Sequence, residues 1–181
     1  MSLDSLKAVL SHNDGSLPDI NFDFGGVRVV ADAYAVIQRR ANVLTSVGSY
    51  YWSKSEEKEC PISFGENPAE LVLSGEAEPF HVVFGGLVSP SGNRIPDLGF
   101  FVLGEDFVAL DYRMGPEWTV PAIEGLLALM DELASLALNT VVTHESNIFD
   151  PDGKILIQAF EEWRAANKRL QATCETHAPE A

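Results

Sequence analysis

Between Ile123 and Ala137 the apolar residues return every three or four positions. Ile123, Leu126, Leu127, Met130, Leu133, Ala134 and Ala137 fall on one stripe, with Glu124, Asp131 and Glu132 off it. This spacing predicts a long amphipathic helix. Thr119 can cap its first turn, and Pro121 is tolerated there because the amide it lacks would have had no partner. The helix sits inside a longer unit. Phe100 to Leu103 reads as a strand, Gly104-Glu105-Asp106 as a tight connection and Phe107 to Tyr112 as a second strand. After a Gly115-Pro116-Glu117-Trp118 corner and the helix, Thr140 to His144 reads as a third strand. Strands that need a cover and a helix with one oily face supply each other's missing surface. Fully burying a side chain such as Leu126 stabilises by about 1.5–3 kcal/mol, so this unit is expected to nucleate the core.

The rest of the chain alternates between the two periods. Leu3 to Leu10 has helical spacing and ends in turn formers from Ser11 to Ser16. Asn21 to Phe24 alternates as a strand, and Gly25-Gly26 then predicts a tight turn into a second strand, Val27 to Val30. Val30, Ala33, Tyr34, Ile37, Ala41 and Leu44 share a helical face, with Asp32 early and Arg39 and Arg40 late, as the helix dipole favours. Tyr50 to Trp52 reads as a short aromatic strand and Ser53 to Glu59 as a solvated charged loop. Ala69 to Leu73 fits either a helical turn or a strand. Phe80 to Val88 is a strand interrupted by Gly85-Gly86, and Ser89 to Asn93 is a turn. Asp150-Pro151-Asp152-Gly153 leads into a last helix with Leu156, Ala159, Phe160, Trp163 and Leu170 on one side, and the residues from 171 on read as a frayed tail. Without a repeat or a low-complexity linker, all 181 residues are expected to form one α+β domain, mainly an antiparallel sheet with helices over one face.

Composition narrows the class. No apolar run approaches 18 residues and the N-terminus lacks the order of a secretory signal, so a soluble cytoplasmic protein is expected. Cys60 and Cys174 are too few for a disulfide framework or a metal cluster and are expected as free thiols. The formal net charge is -15. Residues 51–150 hold seventeen acids against four bases, Lys54, Lys58, Arg94 and Arg113, so the negative charge is concentrated in the middle of the chain. Such a field repels phosphate backbones and anionic membranes and favours encounter with a basic protein; no nucleic acid and no membrane partner is expected.

Chemistry-bearing residues gather where the second strand meets the long helix. Asp111 and Arg113 are two apart on a strand and so point to one face, where they can pair structurally or share a ligand, with Tyr112, Glu117 and Trp118 beside them. Aromatic residues and arginine are the types most enriched in interface hot spots. His144-Glu145 at a strand end offers a histidine beside a carboxylate, so a small acid/base hydrolase using Asp111, His144 and Glu145 is the enzymatic alternative, and a regulatory interaction module is another. Asp150 to Gly153 lacks the later ligands of a calcium loop, neither Gly-Gly pair belongs to a phosphate cradle, and no serine elbow is present. No cofactor and no metal is expected.

With its acidic α+β character and its Tyr112-to-Trp118 corner (Tyr-Arg-Met-Gly-Pro-Glu-Trp), the chain resembles the immunity proteins encoded beside bacterial polymorphic toxins. More narrowly, over Val27 to Arg169, it resembles a type VI secretion immunity family paired with restriction-endonuclease-like nuclease toxins, in which tryptophan and arginine positions are characteristic; Arg113 and Trp118 correspond to them. The resemblance implies a non-enzymatic inhibitor of a cognate toxin with a basic surface. Trp52, Tyr112, Arg113 and Trp118 are then expected as anchors, and Glu56, Glu57, Glu105, Asp106, Asp111 and Glu117 as charge around them.

Overall fold

The computed structural model describes residues 3–13, 15–145, 150–151 and 153–175, with side chains through residue 169. Asp152, the side chains of Leu170 and Cys174, and the part of the expected tail at 176–181 lie outside the described residues. In chain order the elements are α1 (Leu3–Leu10), β1 (Asp19–Asp23), α2 (Val30–Arg40), β2 (Val43–Leu44), β3 (Tyr50–Ser53), β4 (Lys58–Pro61), α3 (Ala69–Leu73) and β5 (Phe80–Gly85). They continue with β6 (Leu98–Val102), β7 (Phe107–Tyr112), α4 (Val120–Ala134), β8 (Val141–His144) and α5 (Ile155–Glu175). Six strands form one antiparallel sheet in the order β2-β5-β6-β7-β1-β8, and β3 and β4 form a separate hairpin. No described helix is long and apolar enough to cross a membrane.

Period-two alternation divides the sheet into two unlike faces. Ile20, Phe22, Val82, Phe84, Phe100, Val108, Leu110 and Tyr112 point inward and are buried in the core with residues of α1, α2, α4 and α5. Tyr34 of α2 meets Phe80, Phe84 and Phe100 edge-on, with centroids 5.3–5.9 Å apart. The alternate positions, Asp19, Asn21, His81, Val83, Phe101 and Asp111, lie on the other face and are only partly covered.

The organising unit forms as its spacing predicts. Thr119 caps α4 by accepting from the Ala122 amide at 3.3 Å, and Pro121 lies in the first turn. Ile123, Leu126, Leu127, Met130 and Leu133 are fully buried.

Three boundaries differ from the sequence reading, and a fourth stretch, which fitted either a helical turn or a strand, takes one of the two forms. Val27 to Val30 does not form a strand: Gly25 and Gly26 close a turn, but α2 already begins at Val30, and β1 finds its partners in the distant β7 and β8. The charged segment after Trp52 is a hairpin rather than a loop, with Glu57 at φ 51 turning the chain so that Lys58 pairs with Ser53. Ala69 to Leu73 is helical. Helix α5 continues to Glu175, past the position where the tail was expected to begin.

Truncating Leu126 to alanine is expected to cost about 2–5 kcal/mol, and Thr119→Ala about 1 kcal/mol. Urea denaturation of the two variants measures both, and near-neutral values would mean that α4 is not the principal cover of the sheet.

Candidate functional site

The partly covered face of the sheet holds the site. Register places Val83, Gly99, Asp111 and Asp19 side by side across β5, β6, β7 and β1. His81 and Phe101 follow one step along the strands, their rings stacked at 4.0 Å and 25°. A cavity of about 540 Å³ opens here, with apolar walls at Leu17, Val83 and Pro96 and with Asp97, Asp111, Arg113 and Glu117 projecting among them. That volume is in the range of ligand sites, which are likewise apolar with a few converging polar groups.

A glycine, Gly99, makes part of the floor. Gly99 stands in the middle of a central strand, where glycine packs nothing and weakens the sheet. A Cβ there would overlap the Asp111 carboxylate and come within 2.5 Å of His81 Nε2. The empty position is therefore what lets Asp111 lie across β6 toward His81, reaching 3.5 Å from Oδ1 to Nε2. At that separation the two are in electrostatic contact but His81 Nε2 has no formed hydrogen bond. Gly85, one strand over, is closed off by a different neighbour: a Cβ there would stand 2.5 Å from Thr45 Cγ2 and 3.0 Å from Asp97 Oδ1.

Negative charge is crowded on this face. Burial, then Glu145 and Asp111, push the Asp19 carboxyl above its ordinary value, while His81 opposes them. Asp19, Asp97, Asp111, Glu117 and Glu145 have no lysine or arginine partner within 4.0 Å among the described residues, whereas Glu56, Glu78, Glu105, Asp131 and Glu132 are paired with Lys58, Lys54, Arg28, Arg164 and the Arg39/Arg40 pair. Asp111 and Arg113 line the same cavity without forming an ion pair.

The expected anchors separate. Arg113 and Glu117 are exposed at the cavity and Asp111 is half-buried within it. Tyr112 and Trp118 are core residues, 1% and 0% exposed, so neither can present itself to a partner. They pack edge to face at 5.4 Å, and Trp118 Nε1 donates to the Arg113 carbonyl at 2.8 Å, which fixes the backbone that carries the arginine. Trp52, 42% exposed, lines a neighbouring cavity of about 520 Å³ that shares His81. Glu56 and Glu57 lie at the hairpin tip. Glu105 and Asp106 belong to the opposite end of the sheet, about 16 Å along β7 from Asp111. There they hold the β1–α2 turn: Glu105 pairs with Arg28 at 2.8 Å and Asp106 accepts from the Gly26 amide at 3.0 Å.

The supposed catalytic trio does not converge. Alternation sends Asp111 to the partly covered face and His144 to the core. His144 Nε2 lies 2.9 Å from the Tyr112 hydroxyl, and its Nδ1 lies 3.5 Å from Asp150 Oδ2. Asp150 in turn accepts from the Lys154 and Ile155 amides at 2.8 Å each, holding the start of α5. With the imidazole proton on Nδ1 toward Asp150, Nε2 accepts from Tyr112, and the chain of contacts ties three elements together. Glu145 reaches the other side, its amide donating to the Asp19 carbonyl at 2.8 Å.

Asp19, His81, Asp97 and Gly99 are not among the residues the sequence marks as a site. The alternation Phe80-His81-Val82-Val83 and a glycine inside an apolar strand were the available signals. Compared with protein-family models, with curated proteins and with solved structures, the chain matches none.

Burial holds the His144 imidazole below its ordinary value against the pull of Asp150 and Glu145. The unfolded chain therefore binds a proton near pH 6.5 that the folded chain refuses, so this contribution is complete above that pH and is lost as the pH falls toward the lower folded value. Thermal unfolding from pH 7.5 to 5.5 is expected to show a falling Tm, with a shallower slope in His144→Gln; an unchanged slope would exclude His144 as the titrating group. Asp19 has the opposite sign. Its raised folded pKa costs stability as the pH rises from the unfolded value of 3.8 through the folded one. Asp19→Asn is accordingly expected to raise Tm at neutral pH.

Proposed function

We propose that this chain is a non-enzymatic inhibitor that acts in the cytoplasm as the immunity protein of a basic, nuclease-type toxin of the kind delivered by type VI secretion. The observation that carries the reading is the set of carboxylates without a lysine or arginine partner among the described residues, Asp19, Asp97, Asp111, Glu117 and Glu145, gathered on the sheet face that the helices leave open. Glu56, Glu78 and Glu105 are matched by lysine or arginine, whereas Glu57, Glu59, Glu66, Glu70, Glu76, Asp106 and Glu124 have no such partner among the described residues, so the open face adds its carboxylates to a negative field spread over the 51–150 segment. A toxin that cleaves nucleic acid must carry a basic groove. An acidic, partly apolar face complements it, speeds encounter and excludes the polyanionic substrate. Arg113 supplies a contact for an acidic residue at the rim of that groove, and Trp52 lies beside the neighbouring cavity as an aromatic contact.

The test is capture from the cell that makes the protein, comparing the wild-type chain with an Asp97→Asn/Asp111→Asn/Glu117→Gln variant. A basic protein retained by the first and lost by the second is expected. Its nuclease activity should be blocked by the wild-type chain, and its association should slow about tenfold or more between roughly 50 and 500 mM salt. An acidic partner, or association indifferent to both salt and the triple substitution, would sink the reading.

A further inference from the structure

Strand β8 ends the sheet on one side, and its outer edge has no strand beside it among the described residues. We propose that this edge pairs with the same edge of a second copy of the chain, joining two sheets into one across a two-fold axis at Val142. The opposite edge is blunted, since β2 is two residues long. Strand β8 is longer, and its residues Val141, Val142, Thr143 and His144 include none of the lysines, prolines or carboxylates that keep edges apart. The ladder fixes which groups it offers. Glu145 donates its amide to the Asp19 carbonyl, so in the alternating antiparallel pattern Val141 and Thr143 bond to β1, while Val142 and His144 turn their amides and carbonyls outward. Gly153 lies so close to the His144 carbonyl that a Cβ on it would overlap that oxygen. Val142 is therefore where an incoming strand can exchange both bonds, and an antiparallel copy centred there sets each Val141 opposite Thr143 of the other copy.

The surroundings of the edge favour a second copy over any other occupant. A cavity of about 390 Å³ runs between β8 and α5, with Val142 and His144 on one side and Lys154, Ile157, Gln158 and Glu161 on the other. These four helix residues follow the i, i+3, i+4, i+7 rule and share one face. Lys154 stands at the His144 end, next to Gly153, and Glu161 lies roughly 10 Å farther along the helix at about 1.5 Å per residue. Rotation about Val142 reverses that order in the second copy. Each Lys154 then faces the other copy's Glu161, with the Ile157 side chains between them near the axis, so the patch complements itself as a two-fold interface must. The same rotation keeps the helices of both copies on one side of the joined sheet and both acidic faces on the other, which leaves the cavity at Asp111 open. The edge is neutral, but two chains of net charge -15 repel, so the dimer is weak and tightens as salt screens that repulsion.

Sedimentation equilibrium of the full chain, from about 10 μM to about 1 mM and at roughly 50 and 500 mM salt, measures the association. A dimer of twice 19.7 kDa is expected, with a Kd on the order of 100 μM at the higher salt and several-fold weaker at the lower. Val142→Pro removes the outward amide without removing a bond to β1, and should weaken the dimer about tenfold or more. At about 150 mM salt, Lys154→Glu and Glu161→Lys should each weaken it about threefold to tenfold, and the two together should restore it. Glu161→Lys also makes the chain less negative, so a general charge effect would strengthen the dimer instead. Circular dichroism establishes that the variants fold, and if Val142→Pro does not, the charge swap decides alone. A chain that stays monomeric at both salts, a dimer that salt dissociates, or one indifferent to either Val142→Pro or the swap would overturn the inference. None of these outcomes depends on the identity of a toxin.

Discussion

The packing of α4 and its neighbouring helices on one side of the sheet is the interaction on which the other features depend. Helix α4 contributes Ile123, Leu126, Leu127, Met130 and Leu133 to the same core that holds Phe22, Phe100, Val108 and Leu110. Once Val108, Leu110 and Tyr112 are committed inward, the two-residue repeat of β7 forces Ala109 and Asp111 outward. A slip of one residue would bury Asp111 and expose Leu110, so the register that makes the core also sets the polar row on the far face. The site is thus a by-product of covering one face and leaving the other partly bare.

Much of that core was legible in the sequence, because helical and strand periods are local properties. The α4 stripe, its Thr119 cap, the whole of β7 and the extent of α1 follow from spacing alone. The misread stretches are those where a distant partner decides. Val27 to Val30 has strand composition, but the edge it would have used on β1 is occupied by β7 on one side and β8 on the other. The segment around Glu56 to Glu59 is polar enough to read as loop, yet it pairs back on Tyr51 and Trp52, and the β3 end adds contacts with the residues before β5.

The site was legible in part. Asp111, Arg113 and Glu117 come together in one cavity, because the strand-to-helix corner is local in sequence. Tyr112 and Trp118 lie at the same corner and read as anchors for a partner, but alternation from Asp111 turns Tyr112 into the core and Trp118 follows it there. Their contribution is positional. Trp118 fixes the Arg113 backbone, and Tyr112 joins the buried contact with His144 that connects β7 to the cap of α5. Asp19, His81 and Asp97 reach the site only through the pairing of strands remote in the chain, and that pairing has no local signature.

Strand β1 lies second from one edge of the sheet, between β7 and β8, although it is the first strand in the chain. During synthesis it leaves the ribosome long before either neighbour exists, so Ile20 and Phe22 wait without a lattice of hydrogen bonds to join. Closing the sheet requires two long loops to be gathered at once, a topology that folds slowly and keeps an unpaired apolar strand available to other chains in the meantime. The price of the open acidic face is therefore a late-closing sheet, and Asp19 and Asp23, at the two ends of that waiting strand, give it the like-charge repulsion that discourages premature pairing with a second copy.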